Sequence, residues 1–446
     1  MWLKDGEIRS RKGLLKHLVR LSGIYIPSFY DVCYSNDGTV RSIRKKVKEA
    51  PLKIKKNVVT NLNTTPFPVS PIVPSIDVVH NRINLEIFRG CTRGCRFCQA
   101  GMIYRPVRER SENVLLHLAE ENVKNTGYEE ISLSSLSSSD YSQIDSVIKN
   151  LVDRYQEKGV GVSLPSLRID SFSVQLARQS QRVRKTGLTF APEVGSKRMS
   201  NVVNKNVTED DLYQTLQYAF QEGCRRIKLY FMIGLPTEQW DDIEGIIRVV
   251  KEVESMGKSM VGRKFSLNVS INAFVPKSHT PFQWTIQERG EQLREKFSYI
   301  VKRVQSRNIS VSFPDINVSL LEAVFARGDR RLGKVLEEAY KIGCKFDSWR
   351  EYFHLNDWIK AFKKCQLDIS FYAHRERKKE EKLPWDIIDC GITKDFLWLE
   401  WQKALQGITT NDCRFNGCKG CGLQDICQGI IEKRADDLVK SEVEIP

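Results

Sequence analysis

From Ile83 onward, short runs of β-branched and apolar residues alternate with longer amphipathic stretches, and the alternation repeats six times. The expected strands are Ile83 to Arg89, Glu130 to Leu136, Gly161 to Leu164, Gly187 to Phe190, Arg226 to Met232 and Leu267 to Phe274. The expected helices are Val114 to Asn125, Tyr141 to Glu157, Ser173 to Arg182, Glu209 to Gln221, Trp240 to Met256 and Ile286 to Arg307. Successive strand–helix–strand units require right-handed crossovers, which makes the strands parallel and puts the helices outside. The chain is therefore α/β, and periodicity leaves open whether its sheet is doubly wound or curled into a barrel. Thr208 ahead of Glu209-Asp210-Asp211 supplies a hydroxyl cap and first-turn carboxylates where the helix dipole favours them.

The alternation leaves much of the 446-residue chain to other structure. Pro66, Pro68, Pro71 and Pro74 lie in a stretch with no helical period, so an extended segment and a boundary near Ile76 are expected. Past residue 312 the rhythm gives way to helical sequence with Trp349, Tyr352, Phe353, Trp358 and Phe362. Then come the charged run His374 to Lys382, expected as a solvated face, and a cysteine-rich end. The expected division is a basic, partly extended segment over 1–76, a core over 77–312 and a mainly helical, cysteine-rich domain over 313–446. No run approaches the roughly 18 apolar residues of a membrane span. The N-terminus meets charges at once, which argues against export and for a reducing, cytoplasmic setting. There, 12 cysteines point to metal, cluster or catalytic roles ahead of disulfides.

Cys91, Cys95 and Cys98 stand in a C-x-x-x-C-x-x-C array directly after the first expected strand. Three thiolates that close together can wrap one metal centre. Structural zinc needs four closed ligands and no fourth stands nearby, so an iron–sulfur cluster with one open iron fits better than zinc completed by a distant residue. Gly90 and Gly94 relax the loop, and Arg93 and Arg96 are expected to offset the charge of thiolates and sulfides. Cys413, Cys418, Cys421 and Cys427 form a second array, with Gly417, Gly420 and Gly422 freeing the turns; it suits zinc or a further 4Fe–4S cluster. Cys33, Cys224, Cys344, Cys365 and Cys390 are isolated and are expected to behave as small hydrophobes.

The first array, with Phe97 before its third cysteine, resembles the hallmark of the radical S-adenosylmethionine superfamily. The resemblance implies a partial (β/α)6 TIM-like barrel in which the three thiolates bind a 4Fe–4S cluster. It further implies that the open iron chelates S-adenosylmethionine, that one electron gives a 5′-deoxyadenosyl radical, and that a donor such as flavodoxin or ferredoxin supplies the electron. Gly187 to Glu193 is similar to the family's fourth-strand segment ending in a carboxylate, and Asn204-Lys205 to the lysine-containing turn after it. Ile233 to Glu238 is similar to the turn that packs against adenine, with Gly234 at its start; a plain turn capped by Thr237 or Glu238 reads the same way. Phe274 to Trp284 resembles the sixth-strand exit. Arg168 and Asp170 suit the cofactor's ribose or carboxylate, or an internal ion pair. The second strand departs from the family's Gly-rich acidic motif and reads LSSLSSSD, so Ser138 or Asp140 would have to receive the methionyl amine.

Residues Val79 to Gln305, with Ser22 to Val32 before and Ser319 to Val335 after, are most similar to a bacterial branch whose members usually begin with a cobalamin-binding domain. That domain is expected to be absent here, and methyl or methylthio transfer would need cobalamin held on another chain. Net charge is +15, and residues 1–56 hold 14 Lys and Arg against 5 Asp and Glu. Arg327, Arg330, Arg331 and Lys334 form a second basic group that suits phosphate, or pairs internally with Asp329, Glu337 and Glu338. These features make RNA or a translation component the expected partner, RNA modification the expected task, and a metal-stabilised RNA-binding protein without turnover the alternative.

Overall fold

A computed structural model describes residues 10–164, 169 and 187–430. Seven parallel strands form two sheets. The first holds β1 (Ile83–Glu86), β2 (Glu130–Ser134) and β3 (Gly161–Ser163), in that spatial order. The second holds β4 (Leu188–Glu193), β5 (Arg226–Ile233), β6 (Ser266–Ala273) and β7 (Ile309–Ser312), also side by side in chain order. No pairing joins β3 to β4 or β7 to β1 among the described residues. The architecture is thus α/β with parallel strands, and the expected strands and helices recur in order. The Ser173 to Arg182 helix lies outside the described residues.

Alternation of side chains builds the sheet core. Along β5, Ile227, Leu229, Phe231 and Ile233 are buried while the residues between them are partly or fully exposed. Ile243, Ile246, Ile247, Val250 and Val253, on one face of helix Trp240–Val261, pack against them. Helices Glu112–Thr126 and Ile144–Tyr155 cover β1 to β3 in the same way. Thr208 caps helix Glu209–Gln221, accepting from Asp211 N at 3.1 Å while Asp211 accepts from Thr208 N at 2.8 Å.

Three features differ from expectation. The first strand breaks at Ile87: Phe88–Arg89 leaves the parallel sheet and pairs antiparallel with Arg108–Glu109, which turns the following loop across the sheet end. A seventh strand, β7, extends the sheet beyond β6; its four residues are too short to show a period. The run from His374 is not simply solvated: Arg377 is buried and donates to the carbonyls of Arg327 and Tyr372, and Arg375 forms two 2.7 Å bonds to Glu381.

Residues 10–56 form a small module. Helix Arg11–Leu18 and a hairpin of Tyr30–Tyr34 with Val40–Lys45 enclose Val19, Ile26, Phe29, Tyr30, Ala50 and Ile54, closed by Ile387 from the C-terminal region. Strand Ile54–Lys55 pairs parallel with Ile388–Asp389. Between Lys55 and Ile83 there is neither helix nor strand, in keeping with the prolines. Arg327, Arg330 and Arg331 hold internal partners: Arg327 donates to the Ala373 and Arg375 carbonyls, Arg330 to those of Tyr30 and Pro27, and Arg331 to Asp329 and the Gly38 carbonyl while stacking over Tyr34. Of the expected carboxylate partners only Asp329 is met, by Arg331, while Glu337 and Glu338 pair with Lys341 and Lys364; Arg327 and Arg330 donate to backbone carbonyls, and Arg330 and Arg331 dock the module.

The end of β4 meets helix Trp240–Val261 with nothing between. A Cβ on Gly245 would fall well inside van der Waals contact distance of the Gly195 carbonyl oxygen, and one on Gly195 well inside that of the Ile246 backbone nitrogen. Gly to Ala within a helix ordinarily stabilises by about 1 kcal/mol. Here Gly245→Ala is expected to destabilise by about 1–3 kcal/mol through backbone overlap, read as a lowered urea midpoint; a raised midpoint would contradict the contact.

Candidate functional site

The cysteine loop is set by its glycines and by what grips it. Gly90 has φ +97, and a Cβ there would stand 2.6 Å from the Tyr104 carbonyl oxygen; Gly94 has φ +80. Cys98 caps the short helix Gln99–Ile103, its Sγ accepting from Gly101 N at 3.3 Å. Burial pushes the Cys91 thiol up to about 11, with Cys95, Cys98 and Asp140 adding to the rise. The Cys98 thiol rises from burial and from Cys95, opposed in part by Lys205. The three thiols therefore share one field. No three Cys, His, Asp or Glu among the described residues converge at the spacing of single-ion ligands.

Glu193 ends β4 with φ +72, a left-handed conformation that non-glycine residues rarely adopt. Its carboxylate is 3.0 Å from Lys205 Nζ, and both act electrostatically on Cys98, so the fourth-strand carboxylate and the lysine turn stand at the cysteine loop. Asn204 does different work: its Nδ2 donates to the carbonyls of Arg93, Gly94 and Thr410 at 3.3, 3.2 and 3.0 Å, and its Oδ1 accepts from Thr410 N at 2.8 Å. Phe97 is half-buried against the core formed by Val194, Leu235, Phe274 and Trp401. Gly234 has φ +80 and donates its N–H to Glu238, which also pairs with Lys296 at 2.8 Å; the next helix is capped by Gln239 with Asp242, and not by Thr237 or Glu238.

Asp140 and Ser138 lie at the exit of β2. Ser138 is buried, donates to the Leu133 carbonyl at 3.0 Å and faces Ser135 Oγ. Asp140 accepts from Ser137 at 2.6 Å and pairs with Arg93. Arg93 also lies 3.7 Å from Asp412, so its charge is balanced by carboxylates and is not simply free for a cluster. Arg96 is fully buried. Its guanidinium meets Glu400 at 3.0 and 3.1 Å and the carbonyls of Asn201, Val202 and Ile408, and so braces the loop rather than offsetting thiolate charge. Arg168 and Asp170 lie outside the described residues.

Sequence reasoning missed how close the C-terminal cysteines lie. Thr92 Oγ1 donates to Asp412 at 2.7 Å, tying the residue after Cys91 to the residue before Cys413. Arg414 bonds Asp412 at 3.0 Å and reaches the Asp140 carbonyl at 3.2 Å. Burial raises the Cys413 thiol, and it raises Cys427 to about 11 with Cys421, Cys413 and Cys418 adding, so these four thiols also share one field. Arg105 stands between the two groups: its Nε donates to the Gly101 carbonyl, its charge lowers Cys413 and Cys427, and it lines one recess with Thr92, Gly94 and Cys413. These contacts span some 300 residues of chain, and no local spacing announces them.

Residues 85–250 match the family model described as Radical SAM superfamily. An uncharacterised protein of Methanocaldococcus jannaschii is 33% identical over 285 residues, which are 64% of this chain and 61% of that protein. The chain thus spans about three fifths of the length of the curated relative it matches. Among solved structures, the radical S-adenosylmethionine methyltransferase TsrM of Kitasatospora setae aligns over 45% of this chain and 36% of its own, at 12% identity and TM-score 0.37. The cobalamin-dependent S-adenosylmethionine radical enzyme OxsB aligns over 90% and 64%, at 13% and 0.38, and coproporphyrinogen III oxidase of Escherichia coli over 50% and 52%, at 12% and 0.32.

The Arg96–Glu400 pair generates a prediction. Removing one partner of a fully buried, hydrogen-bonded pair leaves an uncompensated charge and costs about 3–5 kcal/mol. Arg96→Met and Glu400→Gln are each expected to lose that much in urea unfolding, and the double variant Arg96→Met/Glu400→Gln less than the sum. Additive losses would show that the two side chains are not coupled.

Proposed function

We propose, from the match of residues 85–250 to the radical SAM superfamily model, that the chain is an enzyme that cleaves S-adenosylmethionine reductively and removes a hydrogen atom from a substrate. The observation that carries this reading is the grouping of Cys91, Cys95 and Cys98 beside the Glu193–Lys205 pair. Three sulfur donors on a glycine-opened loop suit a 4Fe–4S cluster that keeps one iron open. Bound there, such a cluster would supply the one-electron reduction of S-adenosylmethionine, with a donor such as flavodoxin or ferredoxin, to methionine and the 5′-deoxyadenosyl radical.

The chain's own residues would bind and orient. Glu193, held at a strained backbone angle, presents a carboxylate to hydroxyl or ammonium donors, and Lys205 balances it. Asp140, bonded to Ser137 and Arg93, stands at the β2 exit where the methionyl amine would be received. Ser138 supports the backbone there, Phe97 walls the loop, and the Gly234 turn closes the end of β5. Cys413, Cys418, Cys421 and Cys427 would hold a second centre, zinc or 4Fe–4S. Residues 77–312 act as the core, flanked by 1–76 and 313–446. RNA or a component of translation is the substrate class, supported by the cations of the N-terminal module.

Protein reconstituted anaerobically with iron and sulfide, then given reductant and S-adenosylmethionine, is expected to release 5′-deoxyadenosine. Cys91→Ala, Cys95→Ala and Cys98→Ala are each expected to abolish release, together with the iron and sulfide bound at that loop. Iron, sulfide and zinc analysis of Cys413→Ala and Cys418→Ala identifies the second centre. A fully loaded wild-type protein that releases no 5′-deoxyadenosine would favour a metal-stabilised binding protein and overturn the enzyme.

A further inference from the structure

Between residues 10 and 56 there are 12 Lys and Arg and only 3 Asp and Glu. Asp31 pairs with Lys46 at 3.2 Å, and Asp37 folds back on Thr39. Arg41, Arg44, Lys48, Lys53 and Lys55 are exposed, and none of them faces a carboxylate at ion-pair distance among the described residues. They are not spread over a loose tail. Arg41 and Arg44 sit on the second hairpin strand, and Lys53 and Lys55 flank Ile54, which is buried in the module's core.

The module is also fixed in place. Arg330 and Arg331 grip it through the Tyr30, Pro27 and Gly38 carbonyls, and Ile54–Lys55 pairs with Ile388–Asp389. The basic run ends one residue before Lys56, whose Nζ donates to the Ile103 carbonyl and, at 3.3 Å, to the Arg105 carbonyl, at the end of the helix that Cys98 caps. A polyanion bound to these cations is therefore held next to the cysteine loop. This placement favours a substrate over an anchoring surface, since a membrane bound here would lie beside the reacting centre without offering it a molecule to act on.

We propose that the hairpin and the Lys53–Lys55 edge of the N-terminal module form a phosphate-backbone site that binds RNA and delivers it to the cysteine loop. The proposal rests on the radical SAM reading for what happens after binding, but binding itself needs neither electron nor S-adenosylmethionine. The contacts are to phosphate, so affinity depends on salt and little on sequence.

The test uses the full, cluster-loaded chain with fluorescein-labelled polyuridine and, separately, bulk transfer RNA as probes, titrated from about 50 to 200 mM salt. The variant Arg41→Gln/Arg44→Gln/Lys45→Gln/Lys48→Gln is expected to weaken binding at least tenfold at about 100 mM salt and to lower the slope of log affinity on log salt by about 3, at roughly 0.7 per contact on a single strand. The pair Lys53→Gln/Lys55→Gln is expected to lower it by about 1.4, which keeps the test intact if the quadruple variant misfolds. A control with equal charge loss on the outer helices, Lys124→Gln/Lys149→Gln/Lys251→Gln/Lys302→Gln, is expected to change the slope little. Equal loss in the control would reduce the effect to net charge and overturn the site. Binding to phosphatidylserine vesicles in place of both RNAs would overturn it in favour of a membrane. 5′-Deoxyadenosine release by wild type is measured alongside: release without RNA binding sinks this surface alone, and RNA binding without release sinks the enzyme reading alone.

Discussion

Arg96 is where the molecule is tied together. Its guanidinium lies in the cysteine loop with no exposed surface, and its partners come from two distant parts of the chain: the Asn201 and Val202 carbonyls from the helix after β4, and Glu400 with the Ile408 carbonyl from the C-terminal region. A charge buried this deeply is tolerated only when every donor is met. The loop, the β4 exit and the C-terminal helix must therefore arrive together. Lys403 and Thr410 support Glu400, and with Arg96 they hold its carboxyl below the usual range against the opposing effect of burial. The aromatic core of Phe274, Phe282, Trp284 and Trp401 then seals the same junction from the apolar side.

A second layer of polar contacts repeats the arrangement around the other two segments. Arg93, Asp140, Asp412 and Arg414 alternate in sign across the cysteine loop, the β2 exit and the C-terminal array. The two cysteine groups are consequently parts of one construction. Cys413 is flanked by the two residues, Asp412 and Arg414, that reach back to Thr92 and to the Asp140 backbone.

Much of this was legible in the chain and some was not, for identifiable reasons. The parallel strands were visible because β5 and β6 alternate over eight residues each, and the Thr208 cap because hydroxyl and carboxylates sit three apart. The grouping of Cys91, Cys95 and Cys98 followed from spacing alone. The roles of Arg93, Arg96 and Asn204 did not, because a charged or amide side chain near a cysteine array reads identically whether it faces a cluster or a carbonyl 200 residues away. The Arg327–Arg331 group shows the same ambiguity: local sequence gives a dense positive charge, and only the fold shows that the carbonyls of Ala373, Arg375, Tyr30, Pro27 and Gly38 occupy those donors. Arg41 and Arg44 on the hairpin differ: among the described residues no carboxylate meets them at ion-pair distance.

Asn204 gives the loop a chemical vulnerability. Its two amide hydrogens are shared among three carbonyl oxygens, and only its one oxygen faces a donor. Exchange of a single NH2 for an oxygen, which hydrolysis of the side-chain amide accomplishes without any mutation, would turn three attractive contacts into three repulsions. The exclusion of water from this fully buried residue is thus a form of chemical protection as well as packing, and the working lifetime of the cysteine loop depends on how long that seal lasts.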